Sequence, residues 1–328
     1  MKSLGVNAIL LIALVLAAAV AVTLGEVGLS PSQYLRALTH PADPAGQILW
    51  EIRSPRVFAA AAVGACLGLS GALLQGLLRN PLADPGVLGV SACAGLGASL
   101  AIIAGLAVTP GAVEAAALAG AGVAAVALVI FATRFAEPEA LILFGVSLSA
   151  FAGALTALVF NFSPSPIATA EVLGWMLGSV ENREWADAAW GGMALAMAGG
   201  LGLWARKGLL ALTLGEETAA TTGLPIRALK IAAVLAAAIA TGAAVAIAGV
   251  VGFVGLAAPH LVRAAVREDP ARLLLPSALA GAVMLVGADL IARLLPTDVE
   301  VKLGVLTALI GAPLFGLIAW RAARSWRT

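Results

Sequence analysis

Two arginines, Arg53 and Arg56, flank a Ser-Pro pair and are well suited to recognising another molecule. A guanidinium group binds a carboxylate through two parallel hydrogen bonds. Both arginines precede or begin a predicted apolar helix, and the dipole at a helix N-terminus disfavours cations there. We therefore expect them to be exposed on a rim and to dock carboxylates of a partner protein. Simple anchoring at a membrane interface is the alternative.

Side chains for catalysis or metal binding are scarce. None of the four lysines lies in a Gly-Lys-Ser/Thr phosphate loop, and His40 and His260 are far apart without a metal-ligand companion. Asp289 is the one candidate carboxylate within a membrane span, interpreted most simply as hydrogen-bonded and structural. Cys66 and Cys93 lie in apolar runs and are expected to be buried thiols. We therefore expect no enzyme activity and no cofactor or metal bound by this chain.

The composition predicts a membrane protein. The 328 residues are 61% hydrophobic and 11% charged, with a mean hydropathy of +1.03. Soluble domains average about 45–50% apolar and about 25% charged residues, so an ordinary soluble enzyme is excluded. A disordered chain is also excluded, because disorder goes with low hydrophobicity and high charge. The formal net charge of +1 gives no reason to expect nucleic acid as a partner.

Stretches without charged residues predict an all-α polytopic membrane protein with about ten transmembrane helices, because one crossing needs about 20 residues. The stretch 231–262 is longer than one crossing, and its glycines and Pro259 divide it into a full helix and a shorter one. The predicted helices are 3–24, 57–78, 88–107, 112–133, 140–161, 187–205, 229–249, 256–267, 273–294 and 303–321.

One transmembrane domain, 1–328, is predicted, with an outer loop at 25–56, core helices within 57–321 and an inner segment at 206–228. With both termini in the cytoplasm, 13 of the 19 basic residues lie inside, which agrees with the positive-inside rule. The apolar stretch at 3–24 is longer than a signal-peptide core, so we expect it to be retained as the first helix.

The residues after the predicted helix 57–78 carry more turn-forming residue types than a simple helix–helix connection needs. Pro81 and Pro85 stop one helix and delay the next, and Pro81 disfavours helical geometry at Asn80. A compact polar turn that includes Leu82 is therefore expected at the inner membrane face. An ordinary helix–helix connection is the alternative.

The inner segment 206–228 predicts a short cytoplasmic helix. Thr213 and Glu216 match a capping box, Gly223 suits a helix C-cap, and Pro225 suits the first turn of the next helix. An ordered helix at this place could bind in a groove on another protein. A plain interfacial connector is the alternative.

These segments together resemble the permease subunits of importers for iron–siderophore chelates, haem and vitamin B12, the FecCD-type (type II) ABC importers. Each stretch is weak alone, but the set follows the family order across nearly the whole chain. The matching stretches are Arg53-Ser-Pro-Arg56, Gly64 to Gly95 with Asn80-Pro-Leu-Ala-Asp-Pro85, Gly174-Trp-Met-Leu-Gly-Ser179, Leu214-Gly-Glu-Glu-Thr-Ala219, Gly223-Leu-Pro225, Gly252 to His260 with Arg263, Leu274-Leu-Pro276, Asp289 with Arg293, and Thr307 to Pro313.

Three departures from the family pattern stand out. Ser54 occupies a position where leucine is usual, and the outer loop Asp298-Val-Glu300-Val-Lys302 lacks the proline that normally follows the glutamate. Glu137-Pro-Glu139-Ala140 stands where the family carries small hydroxyl residues of a second inner gate. The resemblance therefore predicts an inner gate at Asn80 but gives no support to one at 137–140.

The resemblance implies a homodimer with the pathway between its subunits, in the inner (plasma) membrane of a bacterial cell and surrounded by membrane lipid. It implies two copies of a separate ABC ATPase, which bind ATP and Mg²⁺, and a periplasmic or lipoprotein substrate-binding protein. The implied function is import of an iron chelate by alternating access, with ferric siderophore ranked first. Haem and cobalamin are the alternatives, and an ion-coupled secondary transporter is a distant one.

The resemblance also assigns site residues. Small residues on the helix 140–161 separately suggest a pathway wall with few strong ligands, suited to a bulky chelate. The expected sites are binding-protein docking at Arg53, Arg56 and Arg293, a cytoplasmic gate at Asn80 and Leu82, ATPase coupling at Leu214, Gly215, Glu216, Glu217, Ala219 and Gly223, and pathway lining at Gly145, Ser147 and Ser149.

Overall fold

The computed structural model describes residues 2–25, 27–135, 137–297 and 299–325, and its regular structure over them is helical. Asp298 of the outer loop and Arg327 of the charge count lie outside the described residues. The helices are α1 (Lys2–Thr23), α2 (Pro31–Thr39), α3 (Pro44–Gln47), which continues as a π-helix (Ile48–Arg53) into α4 (Ser54–Leu77), α5 (Val90–Ile103), α6 (Ala112–Arg134), α7 (Pro138–Asn161), α8 (Pro166–Met176), α9 (Trp185–Leu212), α10 (Glu216–Ala220), α11 (Ile226–Ala248), α12 (Val254–Arg263), α13 (Pro270–Leu294) and α14 (Leu303–Ser325).

Seven helical stretches in the described part of the chain are long and apolar enough to cross a membrane. They contain α1, α4, α6, α7, α9, α11 and α13. The helices α5 and α12, and the stretch Leu303–Pro313 of α14, are apolar but shorter. Each of the ten predicted helices has a counterpart in the structure, and the all-α membrane fold is confirmed. Ten crossings remain a prediction, because helix length supports seven.

Helix α4 lies at the centre of the bundle and packs against α13, α11, α9 and α12. Its glycines permit this position. A Cβ atom added to Gly64 would lie 2.3 Å from the carbonyl oxygen of Gly281, and one added to Gly71 would lie 1.7 Å from that of Gly255. Small residues let membrane helices approach until their backbones touch. The glycine-rich run of α4 therefore sets how closely α12 and α13 pack.

The helices around this centre expose apolar side chains. The apolar faces of α1, α6, α7 and α9 are largely unburied, whereas those of α4 and α11 are mostly buried. In a chain whose composition demands a membrane, such outward apolar faces contact lipid. The bundle thus has an alanine- and glycine-rich interior and an exterior of leucine, isoleucine, valine and phenylalanine.

The predicted boundaries are wrong in three places around α10. Helix α9 continues to Leu212 rather than ending near residue 205, since residues 206–212 contain no proline and, apart from Gly208, consist of good helix formers. The predicted capping box is not formed: Gly215 is the N-cap of α10, and the Thr213 hydroxyl donates instead to the carbonyl of Leu210. Pro225 is the N-cap of α11 rather than its first helical residue.

Three helical segments were not predicted. Within the stretch expected to be an outer loop, α2 begins with a capping box between Ser30 and Gln33, and α3 follows Asp43-Pro44. Helix α8 begins after Ser165, whose hydroxyl accepts from the N–H of Ile167. Each start carries a Ser or Asp followed by Pro, which is a recognised helix-start signal.

Candidate functional site

Four charged side chains form a buried cluster where α4 begins and α13 ends. Arg56 donates from Nε and Nη2 to Oδ1 of Asp289, at 2.9 and 2.8 Å, and also pairs with Glu300. Arg293 Nε lies 3.1 Å from Oδ2 of the same Asp289. One carboxylate thus sits between two guanidinium groups. Asp289 is 1% exposed, which confirms its interpretation as a bonded structural carboxylate.

The C-terminal end of α1 is held by arginines from distant elements. The last carbonyl groups of a helix have no partner within the helix. Arg53 Nη1 donates to the carbonyl of Thr23 at 2.9 Å, and Arg293 Nη2 donates to that of Ala21 at 3.1 Å. Arg53 also donates to the carbonyl of Val27. These cations match the negative end of the helix dipole, which α1 itself does not neutralise.

The expectation that the outer arginines are exposed is wrong. Arg53 is 5% exposed, Arg56 9% and Arg293 8%, and each already has bonding partners within the chain. The local helix dipole opposes Arg56 at the start of α4, but two carboxylates distant in sequence outweigh it. Their role in docking a partner stays a prediction. A docking partner would have to reach side chains that are buried in this structure.

The turn expected at Asn80 is formed, and its side chains stabilise it. Asn80 Oδ1 accepts from the N–H of Leu82 at 2.9 Å, and Asp84 Oδ1 accepts from the N–H of Gly86 at 2.7 Å. Each side chain closes a local turn of the kind that Asn and Asp favour. Leu82 is 61% exposed at the tip. Burial raises the pKa of Asp84, and the bond from Gly86 opposes this shift.

Two residues to which the sequence assigned no role in this turn, Gln75 and Arg263, hold it in place. Gln75, buried near the end of α4, donates to the carbonyl of Ala83 at 3.3 Å, and Arg263 of α12 donates to its Oε1. Pro85 packs so closely on α12 that a Cβ on Gly255 would lie 2.6 Å from Pro85 Cγ. The turn is therefore fixed to both α4 and α12. Glutamine within an apolar helix was the signal that could have revealed it.

Helix α10 is fixed to the bundle through one side and exposes the other. Glu216 accepts two hydrogen bonds from Lys230 Nζ, each 3.0 Å long, and Ala219 is fully buried. Leu214 is 64% exposed, and Glu217 is also exposed. Gly215 and Gly223, with φ of +94° and +76°, make the sharp bends on either side. The structure brings all six predicted coupling residues into one short protruding segment.

The predicted pathway residues of α7 divide between two environments. Gly145 is buried against the turn before α5, where an added Cβ would lie 2.7 Å from Leu88 Cα. Ser149 Oγ donates to the carbonyl of Val87 at 3.1 Å, while Ser147 is exposed and donates to its own helix at Leu143. Pathway lining by these residues stays a prediction, and Gly145 in this subunit packs against the turn before α5.

A second candidate for the wall of the transport pathway lies between α8, α12 and α14. A cavity of about 620 Å³ opens there, next to Phe253, which takes a φ of +66° at the start of α12. Its lining is apolar and includes Met176, Leu177, Gly304 and Pro313. Within the described residues, no three His, Cys, Asp or Glu side chains come together as a group that could hold a metal ion.

The seven membrane-length helices of the described residues, packed around a glycine-rich centre, define a multi-pass integral membrane protein. The chain belongs to the FecCD transport family, whose sequence model matches residues 10–321. This confirms the resemblance found in the sequence.

Three characterised relatives show what kind of protein the family contains. The vitamin B12 import system permease BtuC of Vibrio cholerae is 40% identical over 299 residues, which are 89% of this chain and 86% of that protein. The hemin transport system permease HmuU of Yersinia pestis is 36% identical, over 93% of this chain and 92% of HmuU. The iron(3+)-hydroxamate import system permease FhuB of Bacillus subtilis is 34% identical, over 95% of this chain and 82% of FhuB.

The fold is also that of a solved transporter. A metal-chelate type ABC transporter in an inward-facing conformation superposes with a TM-score of 0.86 and 30% sequence identity, covering 97% of this chain and 99% of that one. The chain is therefore a permease subunit of the ABC importer type and not itself an enzyme. The type II permease architecture expected from the sequence is confirmed.

Proposed function

We propose that this chain is the membrane-spanning subunit of an ATP-driven importer that moves a bulky metal chelate across the bacterial inner membrane. The observation that carries the proposal is the match to permeases of chelate importers along nearly the whole chain, in both sequence and fold. Two copies of the chain would form the pathway between them, with both termini in the cytoplasm.

Ferric siderophore, haem and cobalamin are the substrate candidates, since permeases for each of these classes match most of this chain. The 40% identity to a vitamin B12 permease favours cobalamin, whereas hemin and iron-hydroxamate permeases follow at 36% and 34%. The apolar cavity beside Phe253 and the exposed Ser147 offer no strong ligands to a metal centre. Such walls suit a chelate whose metal is already fully coordinated and which must pass without being retained.

The energy for transport comes from a separate ATPase in this proposal. The sequence contains no phosphate-binding loop, so ATP and Mg²⁺ would bind to that partner alone. The exposed Leu214 and Glu217 of the α10 segment would contact it. Because α9 ends at Leu212 and α11 begins at Ile226, a displacement of α10 would act directly on two membrane helices.

The turn at Asn80 and Leu82 would form the cytoplasmic gate. Its bonds to Gln75 and Arg263 tie it to α4 and α12, so it would move with these helices rather than as a loose loop. Leu82, exposed at the tip, would meet its copy in the second subunit and close the pathway by apolar contact.

Transport into proteoliposomes tests the function. We expect the purified permease to take up labelled chelate only with its ATPase, its binding protein and ATP all present, and ADP provides the matched control. Ferric hydroxamate, hemin and cobalamin tested in parallel identify the substrate. Uptake without an ATPase would refute the proposal and support an ion-coupled carrier.

Docking of a binding protein at Arg53, Arg56 and Arg293 needs a separate test, because these side chains are buried. We expect Arg56→Gln to weaken binding-protein affinity more than Arg36→Gln, a change at an exposed arginine of α2. Thermal unfolding of both variants separates docking from stability. If Arg56→Gln lowers the unfolding temperature but leaves affinity unchanged, Arg56 is structural and does not dock the partner.

A further inference from the structure

A groove distinct from the proposed pathway opens on the outside of the bundle. It lies between α6 and α9, which both pack on α11, and it encloses about 750 Å³. The pathway candidates α7, α8, α12 and α14 contribute none of its lining. Nothing in the proposed transport cycle uses this groove.

The groove is apolar along its length and polar at one end. Trp190, Met193 and Met197 share one face of α9 and form an exposed wall, and small residues of α11 such as Gly242 and Ala246 form the floor. From Glu114 to Ala125 along α6 it extends about 17 Å, close to half of the roughly 30 Å hydrocarbon thickness. Its depth therefore matches one leaflet of the bilayer.

Four charged side chains surround the polar end. They are Glu114, Arg183, Glu184 and Asp187, and together they carry a formal charge of −2. Arg183 Nη1 lies 3.4 Å from Glu114 Oε1 and 3.9 Å from Asp187 Oδ1. Its Nε atom is buried and has no hydrogen-bond partner in the described part of the chain. The mouth thus holds one cation, whose side chain is 20% exposed, within a surplus of carboxylates.

We propose that this groove binds a phospholipid with an ammonium headgroup, of the phosphatidylethanolamine type. An acyl chain would lie along the apolar wall, the phosphate would accept from Arg183, and the ammonium would contact Glu114 and Asp187. Sites for anionic lipids are basic, and the charge of this mouth has the opposite sign. Zwitterionic lipid is therefore favoured over phosphatidylglycerol or cardiolipin.

Native mass spectrometry of the purified chain with defined lipids tests the assignment. At equal concentrations we expect one palmitoyl-oleoyl phosphatidylethanolamine to be retained roughly tenfold more than the phosphatidylglycerol with the same chains, since the carboxylates attract the ammonium group of the first lipid and repel the net negative headgroup of the second. Glu114→Gln should reduce this preference several-fold. The result does not depend on which chelate is transported.

A variant whose side chain fills the groove provides the second test. Gly122 lies in the groove with no atom within 4 Å of an added Cβ, so Gly122→Phe should fold and reduce phosphatidylethanolamine retention about tenfold. Gly200→Phe, at an equally open position of α9 outside the groove, should leave retention unchanged. Equal retention of both lipids in the wild type would overturn the proposal. So would a Gly122→Phe variant that changes only the oligomeric state, because a protein would then be the occupant.

Discussion

Replacing Asp289 with asparagine removes the carboxylate that Arg56 and Arg293 share while keeping its size and shape. Arg56 would retain Glu300, but Arg293 would lose the one carboxylate that the described residues bring within 4 Å of it. Asp289 and the two arginines that share it are all nearly inaccessible to solvent. The substitution therefore leaves a buried guanidinium without its counter-charge, which is the costly case for a buried ion pair.

The expected loss is about 3–5 kcal/mol of unfolding free energy. Since each 1.4 kcal/mol is a factor of ten, the folded-to-unfolded ratio should fall by roughly 140- to 3,700-fold. We expect no comparable effect from an exposed pair. Arg272 lies 3.0 Å from Asp269 but is 62% exposed, so Arg272→Gln should cost at most about 1 kcal/mol.

Reversible unfolding in mixed micelles, followed by tryptophan fluorescence, measures both variants against the wild type. The reasoning is refuted if Asp289→Asn and Arg272→Gln shift the unfolding midpoint equally. That outcome would mean that the cluster around Asp289 contributes little to stability. Its arginines would then be free to exchange partners at little energetic cost, which would strengthen the docking prediction.

Three further predictions concern the coupling segment, the gate and the centre of the bundle. Lys230→Met removes the bond to Glu216 and should reduce ATPase co-purification several-fold while costing only about 1 kcal/mol of stability. Asp84→Asn keeps the turn-closing oxygen, and because burial raises the pKa of Asp84, the stability of the wild type relative to this variant should fall as pH rises above about 4. Gly71→Ala places a Cβ 1.7 Å from the carbonyl oxygen of Gly255 and should cost more than about 4 kcal/mol, seen as loss of monodisperse protein in size exclusion.

Each of these predictions has a contradicting result. Unchanged ATPase recovery with Lys230→Met would show that α10 is positioned by other contacts. A stability difference for Asp84→Asn that does not vary with pH would show that ionisation at Asp84 is not penalised by folding. Gly200→Ala, at an open position, is the control for Gly71→Ala, and equal behaviour of the two would mean that α4 and α12 can separate without cost.

The membrane helices could be predicted from sequence because the hydrocarbon imposes a length on every crossing. The helix predicted at 112–133 became Ala112–Arg134, and that predicted at 273–294 became Pro270–Leu294. Helices that do not cross are under no such constraint. Pro166–Met176 lies partly within an apolar run already assigned to one crossing, and Pro31–Thr39 lies among polar residues that indicated a loop.

The sequence predicted which residues belong to the candidate sites but not which side chains surround them. Local signals identified Asn80 and the coupling segment, because turns and short helices depend on neighbouring residues. The burial of Arg56 depends on Asp289, 233 positions away, and no local pattern encodes that contact. Sequence reasoning therefore placed Arg56 correctly at the start of a helix and was wrong about its exposure.

The two arginines that bond carbonyl groups at the end of α1 become available at different times while the chain is synthesised. Arg53 follows Thr23 by 30 positions and is available as soon as the second long hydrophobic segment has been made. Arg293 follows Ala21 by 272 positions, so it becomes available only after the helices from α4 to α12 have been made. The end of α1 thus gains one arginine early and the other only after α12 has been made, and nascent subunits truncated before residue 293 should hold α1 less firmly.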